Sequence, residues 1–182
     1  QNTNAMEYTG AIALSQSALL KARTLHKGEW SALNEAYYIL ESPAAHENLV
    51  ISEIMYHPSD SEILEFVELL NISDQTLSLS GVHFNSGVEF EFEQGATLPP
   101  GMRTLIARSA SELTTTVSGI NIAGEFQNGT RLANNGEVVE LVALDGSMIQ
   151  ILNYDDKSPW PIKADGKGPS LVLVNPRTNP DP

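Results

Sequence analysis

The feature that most constrains the fold is a succession of short strand-like runs separated by turns. None of these runs has the 3.6-residue period of an amphipathic helix. Asp145-Gly146 joins two of them with a strong hairpin signal. Short strands separated by turns predict an all-β antiparallel sandwich. The runs are LVISEIMY (49–56), EFVELLN (65–71), LSLSGVHF (77–84), VEFEF (88–92), TLIA (104–107), EVVELVAL (137–144), MIQILNY (148–154) and SLVLV (170–174).

A second, shorter region precedes this set of strands. Residues 41–48 (ESPAAHEN) are rich in Pro, Ala and polar residues, and we interpret them as a linker between domains. Residues 1–40 contain an alternating run at 18–23, a turn at Lys27-Gly28 and a second run at 35–40. Two or three strands cannot bury a core alone. They therefore predict an incomplete β-module that packs on the rest of the chain, pairs with another chain, or ends a truncated domain.

Composition excludes several classes of function. The chain has 182 residues, a formal net charge of −13 and no cysteine. The negative charge disfavours binding to phosphate backbones, so we expect no direct contact with nucleic acid. Thiolate chemistry and cysteine-based zinc sites are excluded. No apolar run approaches the length of a membrane span, so we expect no membrane insertion.

Three of the acidic residues in the strand-like runs lie among large apolar side chains and require an explanation. Glu65 and Glu68 fall on opposite faces of one run, and Glu53 occupies an equivalent place in another. A buried carboxylate must be paired, hydrogen-bonded or metal-bound. One interpretation is structural pairing with Arg, Tyr or backbone N–H groups. Another is a calcium site to which Asp155 and Asp156 add ligands, because calcium takes several carboxylate oxygens.

Catalysis is the third interpretation of these carboxylates. General acid–base chemistry needs a positioned pair in a cleft, and the sequence contains no companion motif. The HExxH, P-loop, Rossmann glycine and G-x-S-x-G patterns are all missing from the sequence. The sequence therefore predicts a protein that is not an enzyme and that requires no cofactor, with calcium as the one candidate ligand ion.

Trp160 is a candidate ligand-binding residue. Pro159 and Pro161 flank it and fix its backbone. The indole could serve as a stacking platform for a carbohydrate. The alternative is that it closes one end of the sandwich core, where a large aromatic side chain buries much apolar surface.

Six motifs in sequence give the second region its family resemblance. Their order and spacing resemble those of bacterial lamin tail domains over residues 49–176, and residues 177–182 form a tail. The resemblance implies an immunoglobulin-like β-sandwich and a non-catalytic attachment module of secreted or cell-surface bacterial proteins. Leu70 departs from the tyrosine that bacterial members often carry there. The motifs are ISEIMYHP (51–58), EFVELLN (65–71), LSLSGVHF (77–84), LPPGMRTLIA (98–107), LANNGEVVELVALDGSMIQILNY (132–154) and PWPIKADGKGPSLVLV (159–174).

The first region carries a second resemblance. YTGAI (8–12), KAR (21–23) and GEWS (28–31) are similar to the end of the small β-module at the C-terminus of chitobiase and β-hexosaminidase. We therefore expect a non-catalytic binding or assembly module of a larger secreted protein, whose partner is a protein or a cell-surface glycan. The alternative is a carbohydrate-binding module accessory to a secreted hydrolase.

Overall fold

The computed structural model describes residues 6–14, 18–38 and 40–176. The chain divides into two compact units, with the division between Glu41 and Ser42. The division falls inside the stretch predicted as a linker. Each unit has its own strands, and the two are described separately.

The first unit consists of two small antiparallel sheets. Strand β1 (Ala18–Ala22) pairs with β4 (Asn34–Tyr38), and β2 (Leu25–His26) pairs with β3 (Glu29–Trp30). The turn between β2 and β3 is the predicted Lys27-Gly28, where both residues have positive φ. Every residue of this unit whose burial is described is exposed or half-exposed. This part of the chain therefore shows strands without a core.

The second unit contains three sheets around one core. A five-stranded sheet has the order β12-β11-β7-β6-β15, and the two three-stranded sheets have the orders β14-β13-β9 and β10-β8-β5. The all-β sandwich predicted from the sequence is confirmed. The strands are β5 (Glu41–Pro43), β6 (Leu49–Met55), β7 (Phe66–Asn71), β8 (Thr76–Ser78), β9 (His83–Ser86), β10 (Thr97–Leu98), β11 (Arg103–Ala107), β12 (Ile122–Glu125), β13 (Glu137–Val142), β14 (Met148–Tyr154) and β15 (Leu171–Val172).

Residues 41–48 differ from the expected linker. Strand β5 joins a sheet through β8, and Ala44 is 5 % exposed within the main core. The Asn48 side chain accepts a hydrogen bond from the Ala45 N–H at 2.8 Å and donates one to the Pro43 carbonyl. This stretch is folded because its backbone groups have partners inside the second unit.

A bulge in β6 sets which of its side chains face the core. The pairing of β6 with β7 skips Ser52, between Ile51 and Glu53. Ile51 and Ile54 are both nearly fully buried, so the inward phase shifts by one residue at this point. Ser52 and Glu53 consequently both lie on the outer face of the sheet.

The segment after β11 was not predicted. A seven-residue helix, α1 (Ala110–Thr116), connects β11 to β12, which pairs parallel to β11 in an otherwise antiparallel sheet. The buried Leu113 packs with Leu105 and Ala107 in a second apolar cluster. This cluster is separate from the main core. In the described part of the chain, no helix is long and apolar enough to cross a bilayer.

Candidate functional site

Glu65 lies at the start of the run that carries two acidic residues. It immediately precedes β7, and its side chain is only 1 % exposed. Its Oε1 accepts a hydrogen bond from Arg108 Nη1 at 2.6 Å, and its Oε2 accepts one from the Leu132 N–H at 2.9 Å. The Arg108 N–H also donates to the Glu65 carbonyl at 2.8 Å. Glu65 therefore ties the end of β11 and the segment before β13 to the start of β7.

The electrostatics of this pair reflect unequal burial. Burial raises the pKa of Glu65, although the Leu132 N–H and the Arg108 guanidinium both work in the opposite direction. Burial is also the largest single influence on Arg108 and acts to lower its pKa, but the Glu65 and Glu62 carboxylates together outweigh burial and raise the pKa of the guanidinium. The two partners differ because the Arg108 side chain remains 28 % exposed and keeps contact with water. The carboxylate thus has the partners that the structural interpretation requires.

Glu62 extends this network at the surface. Its Oε2 lies 3.3 Å from Arg108 Nη1, and its Oε1 accepts a hydrogen bond from Asn134 Nδ2. The hydrogen bond from Arg108, followed by that from Asn134, lowers the pKa of Glu62. Arg108 is therefore shared between one buried and one half-exposed carboxylate.

Glu53 and Glu68 lie opposite each other across β6 and β7, on the outer face of the sheet. Like charges in this position destabilise a sheet unless other groups compensate. Glu68 Oε1 accepts a hydrogen bond from Ser52 Oγ at 2.6 Å and forms an ion pair with Arg103, whose Nε lies 3.0 Å away. Glu53 accepts a hydrogen bond from Ser170 Oγ. Each carboxylate thus has its own donors, and the bulge at Ser52 supplies one of them.

Asp155 and Asp156 follow β14 and lie near a buried phenol. Asp155 Oδ1 accepts a hydrogen bond from the Lys157 N–H at 2.9 Å. Asp156 Oδ1 is buried without a hydrogen-bond partner, and Lys157 Nζ lies 3.5 Å from it. Burial and then the charges of Asp165, Asp156 and Asp155 raise the pKa of Tyr56 to about 12. No sequence pattern distinguishes Tyr56, because an inward-facing tyrosine in a strand is typical of an ordinary core residue.

Tyr56 belongs to an aromatic and acidic cluster at this end of the unit. It is 1 % exposed, and its hydroxyl has no hydrogen-bond partner in the described part of the protein. Its ring centroid lies 4.8 Å from that of Tyr154. The neighbouring His57 Nδ1 lies 2.7 Å from Asp165 Oδ1. This hydrogen bond holds the 164–166 turn to the end of β6.

The comparison with protein families decides the identity of the second unit. The family model of the lamin tail domain matches residues 42–156, which is more than half of the chain. The chain belongs to the lamin tail domain family. The domain is an immunoglobulin-like, non-enzymatic fold that serves generally in protein interaction. No curated protein matches this sequence.

The acidic residues of this lamin tail domain do not form one group. Among residues 6–14, 18–38 and 40–176, no three His, Asp or Glu side chains are placed so that they could hold a metal ion. Glu53 and Glu68 are cross-strand neighbours, and Glu65 is paired with Arg108. Asp155 and Asp156 lie near Tyr56. The proposed calcium site stays a prediction, and the pairing of these side chains does not depend on it.

Trp160 packs against the main core of the lamin tail domain and is half-buried. The backbone N–H of Trp160 donates a hydrogen bond to the Lys157 carbonyl at 2.9 Å. This position fits the interpretation of Trp160 as an end plug of the sandwich. Carbohydrate stacking on the indole stays a prediction.

A cleft of about 310 Å³ lies beside the turn that follows β7. Residues 70–73, Gly101 and residues 175–176 line it, and they include no acidic, basic or histidine side chain. The lining therefore provides no group for acid–base chemistry. Asn71, which is fully buried here, donates hydrogen bonds to the Gln75 and Leu98 carbonyls and accepts two from Ser73.

Proposed function

We propose that this chain is a non-catalytic binding or assembly module of a larger secreted or cell-surface bacterial protein, and that it binds another protein. The observation that carries the proposal is the match to the lamin tail domain over residues 42–156. The pairing of Glu65 with Arg108 supports it, because the most buried carboxylate is occupied by an internal ion pair. The formal charge of −13 argues against a nucleic-acid partner.

The test measures the binding of the labelled full chain to intact bacterial cells and to the surface material that they shed. The samples are treated beforehand with protease, with periodate, or with neither. Loss of binding after protease, with binding kept after periodate, is the expected result, because periodate destroys glycans and leaves backbones intact. Binding that periodate abolishes and protease leaves would overturn the protein-partner proposal.

The alternative is a carbohydrate-binding module accessory to a hydrolase. The half-buried Trp160 between two prolines and the chitobiase-like pattern of the first region favour it. A glycan array with the full chain tests this alternative, and Trp160→Ala should abolish each hit. Because Trp160 packs on the core, the melting temperature of the variant must be measured alongside. Loss of binding with an unchanged melting temperature supports stacking, whereas retained binding rejects it.

We propose calcium only as an optional ligand, through Asp155 and Asp156. The buried Asp156 Oδ1, which has no hydrogen-bond partner in the described chain, supports this choice. A ligand of the native state raises the melting temperature by mass action. Thermal unfolding in EDTA and in excess calcium should show a rise that Asp156→Asn removes. A rise that survives Asp156→Asn would exclude Asp156 as a calcium ligand, and no rise would remove calcium from the proposal.

A further inference from the structure

The two small sheets of the first unit form one continuous hairpin. Strands β1 and β4 pair antiparallel, and β2 and β3 continue the same two arms to the turn at Lys27-Gly28. Between the two ladders, the Ser31 N–H donates a hydrogen bond to the Thr24 carbonyl at 2.8 Å, and the Thr24 N–H donates one to Ser31 Oγ at 2.9 Å. The hairpin therefore has two defined faces, because side chains alternate along each arm.

One face of this hairpin carries an arginine and a tryptophan beside two leucines. Trp30 lies directly across from Leu25, and the Arg23 guanidinium carbon lies 5.2 Å from the centre of the Trp30 ring. Glu35 lies directly across from Lys21 on the same side of the hairpin. We call this surface the Arg23 face, and its members are Leu19, Lys21, Arg23, Leu25, Trp30 and Glu35.

The apolar side chains of the Arg23 face are half exposed. Leu19, Leu25 and Trp30 are 46 %, 51 % and 47 % exposed, and no residue of the first unit whose burial is described is buried. An isolated two-stranded hairpin is marginally stable in water and needs a further layer to cover its apolar side chains. The Arg23 face can therefore remove apolar surface from water when it binds a partner.

The two cations of the Arg23 face are paired differently. Lys21 Nζ lies 2.6 Å from Glu35 Oε1. Arg23 stacks on Trp30 and has no carboxylate partner among the residues that the structure describes. Stacking uses the flat face of the guanidinium, so the N–H groups at its edge can still bind a carboxylate. Arg23 is thus a cation held beside apolar surface, and the ligand that complements it is an anion with apolar neighbours.

The composition of the Arg23 face favours a protein segment over a glycan. Leucines on the same face as the indole suit aliphatic or aromatic side chains, whereas they leave sugar hydroxyls without hydrogen-bond partners. Tryptophan and arginine are also the residues that most often contribute large binding energies at protein interfaces. A second copy of this chain is disfavoured, because it brings a further formal charge of −13 and the two molecules repel.

We propose that the Arg23 face binds a segment of another protein in which Asp or Glu lies next to large apolar residues. The proposal rests on the proposed protein-binding function, to which it adds a surface and the chemistry of the partner. The carboxylate of the partner pairs with the Arg23 guanidinium, and its apolar side chains contact Leu19, Leu25 and the Trp30 indole. Water leaves the contact on binding, and the lower local dielectric constant strengthens the ion pair.

The test selects ligands from random dodecapeptides displayed on phage, with the full chain as the immobilised protein. The Arg23→Gln variant serves for counter-selection and removes peptides that bind elsewhere. We expect the enriched peptides to contain Asp or Glu beside Leu, Ile, Phe or Trp. Failure to enrich any peptide, or enrichment of peptides without Asp or Glu, would overturn the proposal.

An enriched peptide is then titrated into the ¹⁵N-labelled full chain. We expect saturable shifts at the Trp30 indole N–H and at the amides of residues 19–30, with an affinity that falls as salt increases. Arg23→Gln should lower the affinity by about tenfold or more, because a charge-assisted hydrogen bond is lost. Arg23→Lys keeps the charge without the planar fork and should lower the affinity less. Shifts confined to residues outside the Arg23 face would contradict the proposal.

Matched variants separate the Arg23 face from general effects of charge. Lys27→Gln removes the same charge at the exposed turn and should change the affinity by less than about twofold. Leu19→Glu adds a carboxylate to the Arg23 face and should abolish binding. Tyr38→Glu adds one to the opposite face, at a 50 % exposed position, and should leave binding unchanged. The amide spectrum of β1 and β4 without peptide shows whether each variant keeps the hairpin, and equal losses in two folded variants would reject the Arg23 face.

The surface and the proposed function can fail separately. If protease-sensitive material on cells binds Arg23→Gln as well as it binds the unaltered chain, the Arg23 face is not the site and the interaction function remains. If Arg23→Gln abolishes binding to periodate-sensitive material only, the face binds an acidic glycan and the protein partner is wrong. If the chain binds no protease-sensitive material at all, the proposed function itself is wrong.

Discussion

At the scale of single residues, Glu65 shows how an all-β core accommodates a carboxylate. The side chain is 1 % exposed, and each of its oxygens has a donor, one from a guanidinium and one from a backbone N–H. Sequence alternation could place Glu65 on the inward face. It could not supply Arg108, because the two residues are separated by 43 positions and nothing local joins them.

We predict that Glu65→Gln destabilises the protein by about 2 kcal/mol, because the amide nitrogen would face either Arg108 or the Leu132 N–H, which are both donors, and the ionic part of the bond to Arg108 would be lost. Urea unfolding at neutral pH measures the change. Glu62→Gln is the control, since Glu62 is 47 % exposed and its pair with Arg108 lies at the surface. Equal losses in the free energy of unfolding would show that the buried pair of Glu65 stabilises the protein no more than the surface pair of Glu62 does.

Tyr56 provides a prediction at alkaline pH. Its pKa is raised from 10.0 to about 12, first by burial and then by Asp165. The folded protein therefore holds this proton more tightly than the unfolded chain does. The resulting stabilisation is fully present below pH 10 and is lost as the pH rises through about 12.

Tyr56→Phe should leave stability at pH 7 nearly unchanged and reduce the loss of stability above pH 10. Unfolding measured at both pH values tests this, with Tyr154→Phe for comparison. The Tyr154 hydroxyl donates to the Ala133 carbonyl at 2.7 Å, so its removal should cost about 1 kcal/mol at neutral pH. A similar cost for Tyr56→Phe at neutral pH would contradict the prediction.

At the scale of elements, the alternation of apolar and polar residues predicted the positions of strands well, but it did not predict where strands break or bulge. MIQILNY matches β14 residue for residue, and the predicted hairpin at Asp145-Gly146 joins it to β13. The run 77–84 divides into β8 and β9 because Gly81 takes a positive φ between them. The run 88–92 alternates and buries Val88, Phe90 and Phe92, yet it forms only a single bridge, from Glu91 to His83.

The bulge at Ser52 and helix α1 could not be predicted from local sequence patterns. The bulge at Ser52 depends on pairing with β7 and not on the composition of β6. Helix α1 has the sequence ASELTTT, in which β-branched threonines disfavour a helix and one leucine cannot define an apolar stripe. Ser109 caps the helix and Leu113 buries it, so tertiary packing overrides propensity here.

We predict that Leu113→Ala lowers stability by about 2 kcal/mol, near the lower end for such substitutions because the second cluster is small and can relax. Hydrogen exchange should increase first in β12, which the helix helps to hold, and least in β13. Thr115→Ala, on the exposed side of α1, should change stability by less than about 0.5 kcal/mol. Uniform acceleration of exchange across β12 and β13 would show that the cluster is not a separate element.

At the scale of the whole molecule, the two units differ in how much they bury. The first unit has no buried residue among those described, whereas the second contains a continuous core from Ala44 to Leu171. Lys21, Arg23 and Lys27 all lie exposed in the first unit, and the next Lys or Arg along the chain is Arg103. Three bonds that trypsin can cleave therefore lie in the unit that shows no buried residue.

Limited digestion with trypsin should remove the residues up to Lys27 and leave a resistant fragment that begins at Gly28. Proteolysis of native proteins follows local opening, which is easiest where few side chains are buried. Mass spectrometry of the time course identifies the cut. Cleavage at Arg103 before Lys27 would contradict the view that the second unit is the more stable one.

The buried position of Asn71 also affects how this protein can be produced. Asn71-Ile72-Ser73 has the form of an acceptor for N-linked glycans, and a eukaryotic secretory host attaches such glycans to the asparagine Nδ2. In the folded chain that nitrogen donates to two carbonyls and the residue has no exposed surface. A glycan added during synthesis would remove one donor hydrogen and would not fit between β7 and β8. Yields from yeast or mammalian secretion should therefore be poor, while bacterial expression avoids this competition between modification and folding.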